Sequence, residues 1–219
     1  MQRSDSWRIP WEGTMPRMML QTFLANDLAD SVSKATRLSK YHASPGGGDY
    51  WWGAKEAVRR IIAGGESYDQ AVGSFANMSK PHQAKDNQEL TYRIYQWKLK
   101  NKDVEPLHSE MPVAEVSGPQ GKLIVKLEPN FAVKRKGVFE AYALWTFKEL
   151  RLTSPVAGMG VHLLELALQH DDCASWKFYL LDCGSLRRFG HSAVSSGTAA
   201  AATFALRTQE ELLLNGKAA

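Results

Sequence analysis

Apolar residues recur every three or four positions through the N-terminal half of the chain and every second position through parts of the rest, so the chain divides into a helical region and a mixed one. Leu20, Phe23, Leu24, Leu28, Val32 and Leu38 fit one buried stripe. With Thr14 as N-cap and Pro16 in the first turn, they predict a helix from about Pro16 to about His42. Ser44-Pro45-Gly46-Gly47-Gly48 ends it, because proline disfavours helix in the residue before it and glycine frees the backbone.

Asp49 then stands where an N-cap belongs, and Trp51, Ala54, Val58, Ile61 and Ile62 make the apolar face of a second helix to about Ala63. Gly64-Gly65 stops it. Ser67 followed by Gln70 is a capping-box pattern for a short third helix, Tyr68 to about Asn77. A fourth runs from about Gln83 to Lys102, lined by Leu90, Ile94 and Trp97, with Lys98, Lys100 and Lys102 favourably placed against the helix dipole at its end.

Beyond Asp103 the period becomes two. Val104 to Met111 predicts a linker, Leu123 to Glu128 a strand, and Val138 to Phe147 a second strand with Phe139, Ala141, Ala143, Trp145 and Phe147 on one face. Pro129-Asn130 and the basic run Lys134-Arg135-Lys136-Gly137 supply the loop between them, which has room for a short strand of its own, and an antiparallel pair is the expected arrangement of the two strands. Ser154-Pro155 opens a helix ending near Gln169; Trp176 to Leu181 is a strand, turned by Asp182-Cys183-Gly184-Ser185 into Leu186 to Phe189. Ala199 to about Leu214 is a terminal helix.

The expected fold class is therefore α+β: an N-terminal bundle of about four helices, then a mostly antiparallel sheet with one or two helices. Residues 1–103 form the helical region, 104–111 the linker and 112–219 the α+β region, the two packing as one unit if Trp-rich helices cover an open sheet face.

With 219 residues and 44% hydrophobic composition, the chain has apolar mass for one core or two small ones. Two cysteines give no disulfide framework, Met1 to Arg8 lead into no apolar stretch, and the uncharged run Phe189 to Leu206 is too small-sided for a bilayer. A cytoplasmic protein with no membrane contact is expected. The net charge is +4, with 15 basic against 11 acidic residues up to Asp103 and 12 of each after it, a bias too mild to demand a nucleic-acid partner.

No motif fixes a reaction. The glycine run lacks the Lys-Ser/Thr ending and the preceding strand of a phosphate loop, so it reads as an interhelix connection. His-Glu-x-x-His and Gly-x-Ser-x-Gly are absent, His108-Ser109-Glu110 has no Pro-Cys-x-x-Cys after it, and neither Asp-x-Lys nor Glu-x-Lys occurs. The densest reactive cluster is His170, Asp171, Asp172 and Cys173, with Asp182, Cys183 and His191 beyond it. A strand between Cys173 and Cys183 separates them by on the order of 25 Å, too far to share a metal or a disulfide. No metal or cofactor is expected, and a catalytic group cannot be assigned. Glu128 and Glu140 read as solvated carboxylates rather than a glycosidase pair.

Trp52 falls beside Lys55, Glu56, Arg59 and Arg60, opposite the apolar stripe of its helix. Exposed there, it would anchor a protein partner, or stack on an unpaired base with Lys55 and Arg59 near phosphates. The plainer alternative has it packed under Trp7 and Trp11 or against the second half of the chain, since most of the seven tryptophans should fill the core. Arg93, Lys98 and Lys100, interleaved with Tyr92 and Tyr95, are the other nucleic-acid candidates; Lys134-Arg135-Lys136 and Arg187-Arg188 read as charged loops. The leading expectation is a non-catalytic interaction or accessory protein. The alternatives are a nucleic-acid binder using Arg59, Arg60, Arg93, Lys98 and Lys100, and an enzyme of unrecognised type using His170, Asp171, Cys183 or His191.

Overall fold

The computed structural model describes residues 17–30, 33–34, 36–38, 49–107 and 110–215. The expected caps Thr14 and Pro16, the glycine stop at 44–48, His108, Ser109 and the tryptophans at 7 and 11 lie outside the described residues.

A five-stranded sheet is the frame. Its strands are β2 (Val104–Pro106), β5 (Phe131–Arg135), β6 (Val138–Trp145), β7 (Lys177–Asp182) and β8 (Arg188–Phe189), in that spatial order. Every pairing is antiparallel except β6 with β7, which run parallel from Glu140↔Lys177 to Trp145↔Asp182. Parallel neighbours need a crossover connection, and α5 (Ser154–Leu168) lies on it. A second sheet holds β1 (Arg17–Met19), β4 (Ile124–Leu127) and β3 (Ala114–Ser117), with β4 central and β1 parallel to it.

Both faces of the five-stranded sheet are covered, and strand alternation sorts the side chains between them. Ala132, Ala141, Ala143, Trp145, Phe178 and Leu180 join the larger core, with α5, α1 (Leu20–Asp27) and α6 (Thr198–Asn215). Phe131, Val133, Tyr142, Leu144 and Leu181 face the other way, onto Ala54, Val58 and Ile62 of α2 (Trp52–Ile62) and Leu90, Ile94 and Trp97 of α4 (Pro81–Lys100). The Phe139-to-Phe147 face read from the sequence is thus the α5 face. Its opposite face, expected to meet water, is roofed by two helices, which explains the unbroken apolar run Ala141 to Trp145.

The N-terminal region differs from a four-helix bundle. The single helix expected from Pro16 to His42 is instead β1 followed by α1, and the backbone leaves the helix at Leu28 to Asp30. Asp30 then accepts from the amide of Ser33 at 2.9 Å, an N-cap bond that starts a new turn and competes with continuing the old one. Asp49 does not cap α2 directly. It accepts from Trp51 N at 3.0 Å, and Trp51 is the N-cap residue. The capping box of Ser67 and Gln70 is present and opens α3 (Tyr68–Val72), which continues as a 3-10 turn, Gly73–Asn77. Within the expected linker, Val104–Pro106 pair with β5 as the sheet's outer strand.

Two close contacts fix how α5 sits. A Cβ on Gly158 would lie 2.2 Å from the carbonyl oxygen of Ala193, and one on Gly160 would meet Leu180 and Leu24 at 2.5 and 2.8 Å. Glycine lets α5 approach β7 and brings the 3-10 turn His191–Ala193 against the helix.

Candidate functional site

On α2 the apolar side chains turn toward α4 and the sheet, which leaves Trp52, Glu56, Arg59 and Ala63 on an outer stripe at helical spacing. The Trp52 side is 65% exposed, an unusual place for the largest apolar side chain. Further along the stripe, Arg59 and Ala63 wall a depression of about 350 Å³ completed by Leu107, Glu110, Met111 and Asn130.

Arg59 is fixed in this position. Its Nε donates to the carbonyl of Asn130 at 3.0 Å and its Nη2 to Glu128 at 2.8 Å. Lys126 also reaches Glu128, at 2.7 Å. Burial alone would raise the Glu128 carboxyl, but hydrogen bonds and charge from Lys126 and Arg59 outweigh it and hold the group below the ordinary carboxylate range. Asn130 is buried and locks the base of the wall by accepting from Leu144 N at 2.8 Å.

The other basic candidates are drawn inward. Lys55 is buried and pairs with Asp49 at 2.5 Å. Arg60 donates to Glu66 and to the carbonyl of Ala71, tying α2 to α3. Arg93 donates to Glu89 at 2.9 Å and to the carbonyl of Gly184 at 2.8 Å, and Lys98 donates to the carbonyl of Ile61. Lys100 is exposed at the end of α4. Tyr92, half-exposed, packs against Tyr68, which also meets Tyr95, with ring centroids 5.6 and 5.5 Å apart. Of the seven residues singled out in sequence, the structure brings Trp52 and Arg59 onto one outward stripe, and it uses Lys55, Arg60, Arg93 and Lys98 as internal ties.

The reactive cluster disperses. His170 bonds its neighbour Asp171 at 3.0 Å and the carbonyl of Ala167, and these contacts raise its pKa while the ring stays exposed. Asp182 accepts from Gly184 N and Ser185 Oγ, shaping the turn after β7. Cys183 is buried beneath α2 and α4, and burial pushes its thiol far up, which removes the thiolate a nucleophile needs. The Cys173 thiol, half-buried, is also pushed up, by burial and then by Asp172 and Asp171. His191 alone among these groups meets a distant acid, Glu165, at 3.0 Å. Among the described residues, no group of three or more His, Cys, Asp or Glu side chains is placed to hold a metal.

One cluster was not foreseen. Glu140, read from the sequence as a solvated acid, is 5% exposed. It accepts from Arg135 Nε at 3.1 Å, from Arg188 Nη1 at 3.1 Å and from the hydroxyl of Tyr142 at 2.5 Å. Asp103 completes the array through both its oxygens, each 2.7 Å from Arg135. The face is covered because α4 seats Trp97 on Phe131 and Tyr142, and the acid is tolerated because two guanidiniums meet it. Only the Glu140–Tyr142 spacing, two residues apart on one face, was readable in advance.

A second depression, about 630 Å³, lies between α1 and the segment after β6, bordered by Asn26, Trp51, Asp86, Phe147, Lys148 and Leu150. Lys148 pairs there with Asp86 at 2.9 Å and with Glu89 at 2.7 Å. Those hydrogen bonds hold both carboxyls below their ordinary values.

No protein-family model matches the chain, and no curated protein matches it in sequence. The fold is α+β with mixed sheets, and no helix among the described residues is long and apolar enough to cross a membrane.

Proposed function

We propose that this chain is a non-catalytic interaction protein that docks a protein partner along the outer stripe of α2, with Trp52 as anchor. The observation that carries this reading is the 65% exposure of Trp52 on a rigid helix whose inner face is fully packed. Aromatic anchors of this kind, held in place before binding, dominate the energetics of protein interfaces. The depression walled by Arg59, Ala63, Leu107 and Met111 offers an adjoining, partly apolar floor.

The nucleic-acid alternative draws less support. Phosphate binding needs cations free to face the backbone, and Arg59, Arg60, Arg93 and Lys98 each spend hydrogen bonds on internal acceptors. The proposed setting is the cytoplasm, where the free thiols of Cys173 and Cys183 would persist.

The test is a photo-crosslinking side chain at position 52. Capture of one discrete protein, unaffected by nuclease, is the expected result. Crosslinks only to nucleic acid, or none above those from a control position on α6, would overturn the reading.

A further inference from the structure

At the β8 edge of the five-stranded sheet, Glu165, Lys177, Tyr179, Arg188, His191 and Ser192 surround a depression of about 650 Å³, within the size range of small-molecule sites, roughly 300–1,000 Å³. It is separate from the α2 stripe, and the reasoning here does not depend on the interaction reading. We infer that this depression binds a small molecule carrying a phosphate group, held by Arg188 and Lys177.

Arg188 is set in place before any ligand arrives. Its Nη1 donates to Glu140 and, at 3.2 Å, to the hydroxyl oxygen of Tyr142, while the guanidinium carbon lies 5.0 Å over the ring of Tyr179. Those contacts use one nitrogen and one face. Nη2 and Nε have no protein partner among the described residues, and the side chain is 43% exposed. A guanidinium anchored through Nη1, with the parallel N–H groups of Nη2 and Nε unpaired among the described residues, matches two oxygens of an oxyanion.

The surrounding acids each have a hydrogen-bond partner. Glu140 is shared by Arg135 and Arg188, and Glu165 takes Nδ1 of His191. Lys177 is exposed and has no acidic partner among the described residues, so its ammonium is free to meet an anion. The Ser192 hydroxyl and Nε2 of His191 are further polar groups, which suits the several oxygens of a phosphate better than the two of a carboxylate.

The floor is built for close approach. A Cβ on Gly190 would fall 2.5 Å from the Tyr179 ring, so glycine keeps the wall flush with that aromatic surface. The contact of Gly158 with the carbonyl of Ala193 holds the His191–Ala193 turn in place. A ligand with a ring beside its phosphate would meet the guanidinium with the phosphate and the partly exposed edge of Tyr179 with its ring.

Titration of the folded chain with inorganic phosphate, phenyl phosphate and acetate, followed by amide NMR at constant ionic strength in chloride, tests this. Saturable shifts confined to residues 177–192 and neighbours on α5 are expected, strongest for phenyl phosphate and weakest for acetate. Lys177→Gln, at an exposed position, should weaken phenyl phosphate binding on the order of tenfold without altering the thermal melt. Arg188→Lys, which keeps charge but loses the fork, should weaken it further. Absence of saturable shifts, shifts spread over the basic β5–β6 hairpin at Lys134 and Lys136 instead, or undiminished binding by Lys177→Gln would overturn the assignment. Acetate binding as tightly as phenyl phosphate would overturn its phosphate character.

Discussion

The hydroxyl of Tyr142 donates to the carboxylate of Glu140 at 2.5 Å, inside a face of the sheet that is closed by α2 and α4. Arg135 and Arg188 meet the same carboxylate, so one buried anion organises two cations and a phenol. Glu140→Gln leaves both guanidiniums facing a neutral amide. A loss of about 3 kcal/mol is expected, the low end for breaking a buried pair because Arg188 is partly solvated. Tyr142→Phe removes the hydrogen bond to the Glu140 carboxylate and the longer one from Arg188, and should cost about 1.5–3 kcal/mol. Urea unfolding of the two variants checks both values and their order.

Burial, reinforced by Glu140, keeps the Tyr142 phenol protonated well above its ordinary value of 10.0. An unfolded tyrosine ionises at the ordinary value, so above that pH the native state holds more protons than the unfolded one. The free energy of unfolding must therefore fall as pH rises. The contribution is intact below pH 10 and is lost progressively above it. Unfolding measured across alkaline pH should show this decline, with a shallower slope in Tyr142→Phe.

Cys183 is buried and its thiol is pushed far up, whereas Cys173 is half-buried on a surface turn. A thiol reagent should modify Cys173 alone in the folded protein, and both cysteines once denaturant is added. Rapid modification of Cys183 in native buffer would revive its reading as a nucleophile.

Trp97 of α4 sits 5.5 Å from Phe131 and 5.2 Å from Tyr142, so the helical and α+β regions share one apolar cluster across the expected linker. Pairing of β2 with β5 protects Val104–Pro106 as well. Limited proteolysis should therefore yield no pair of stable fragments divided near Val104. Two such fragments would show two independent domains.

Features set by local chemistry were legible in the sequence. The Ser67–Gln70 capping box, the extent of α4 and the α5 face of β6 depend on residues within a turn or a strand of one another. What escaped depends on distant partners. The roof over the second face of β6 comes from α2 and α4, so Glu140 read as solvated. The late start of α1, at Leu20 and not near Pro16, follows from β1 pairing with β4, more remote still. At the candidate surface, the place of Trp52 opposite the apolar stripe was legible, but the plainer reading had it packed, and its exposure came only with the fold. The capture of Arg59 by Glu128 and Asn130, and of Arg93 by the carbonyl of Gly184, could not be seen without the fold.

Trp52→Ala removes an exposed ring and should leave folding stability within about 0.5 kcal/mol of wild type. Its effect on partner retention is the most direct test of the docking surface. Immobilised wild-type protein, Trp52→Ala and Phe204→Ala, the last an equally exposed aromatic on α6, would be compared after nuclease treatment. We predict that Trp52→Ala lowers retention of the crosslinked partner on the order of 30-fold, as expected for an interface hot spot, while Phe204→Ala retains it. Equal retention by Trp52→Ala and wild type would contradict the assignment of this surface.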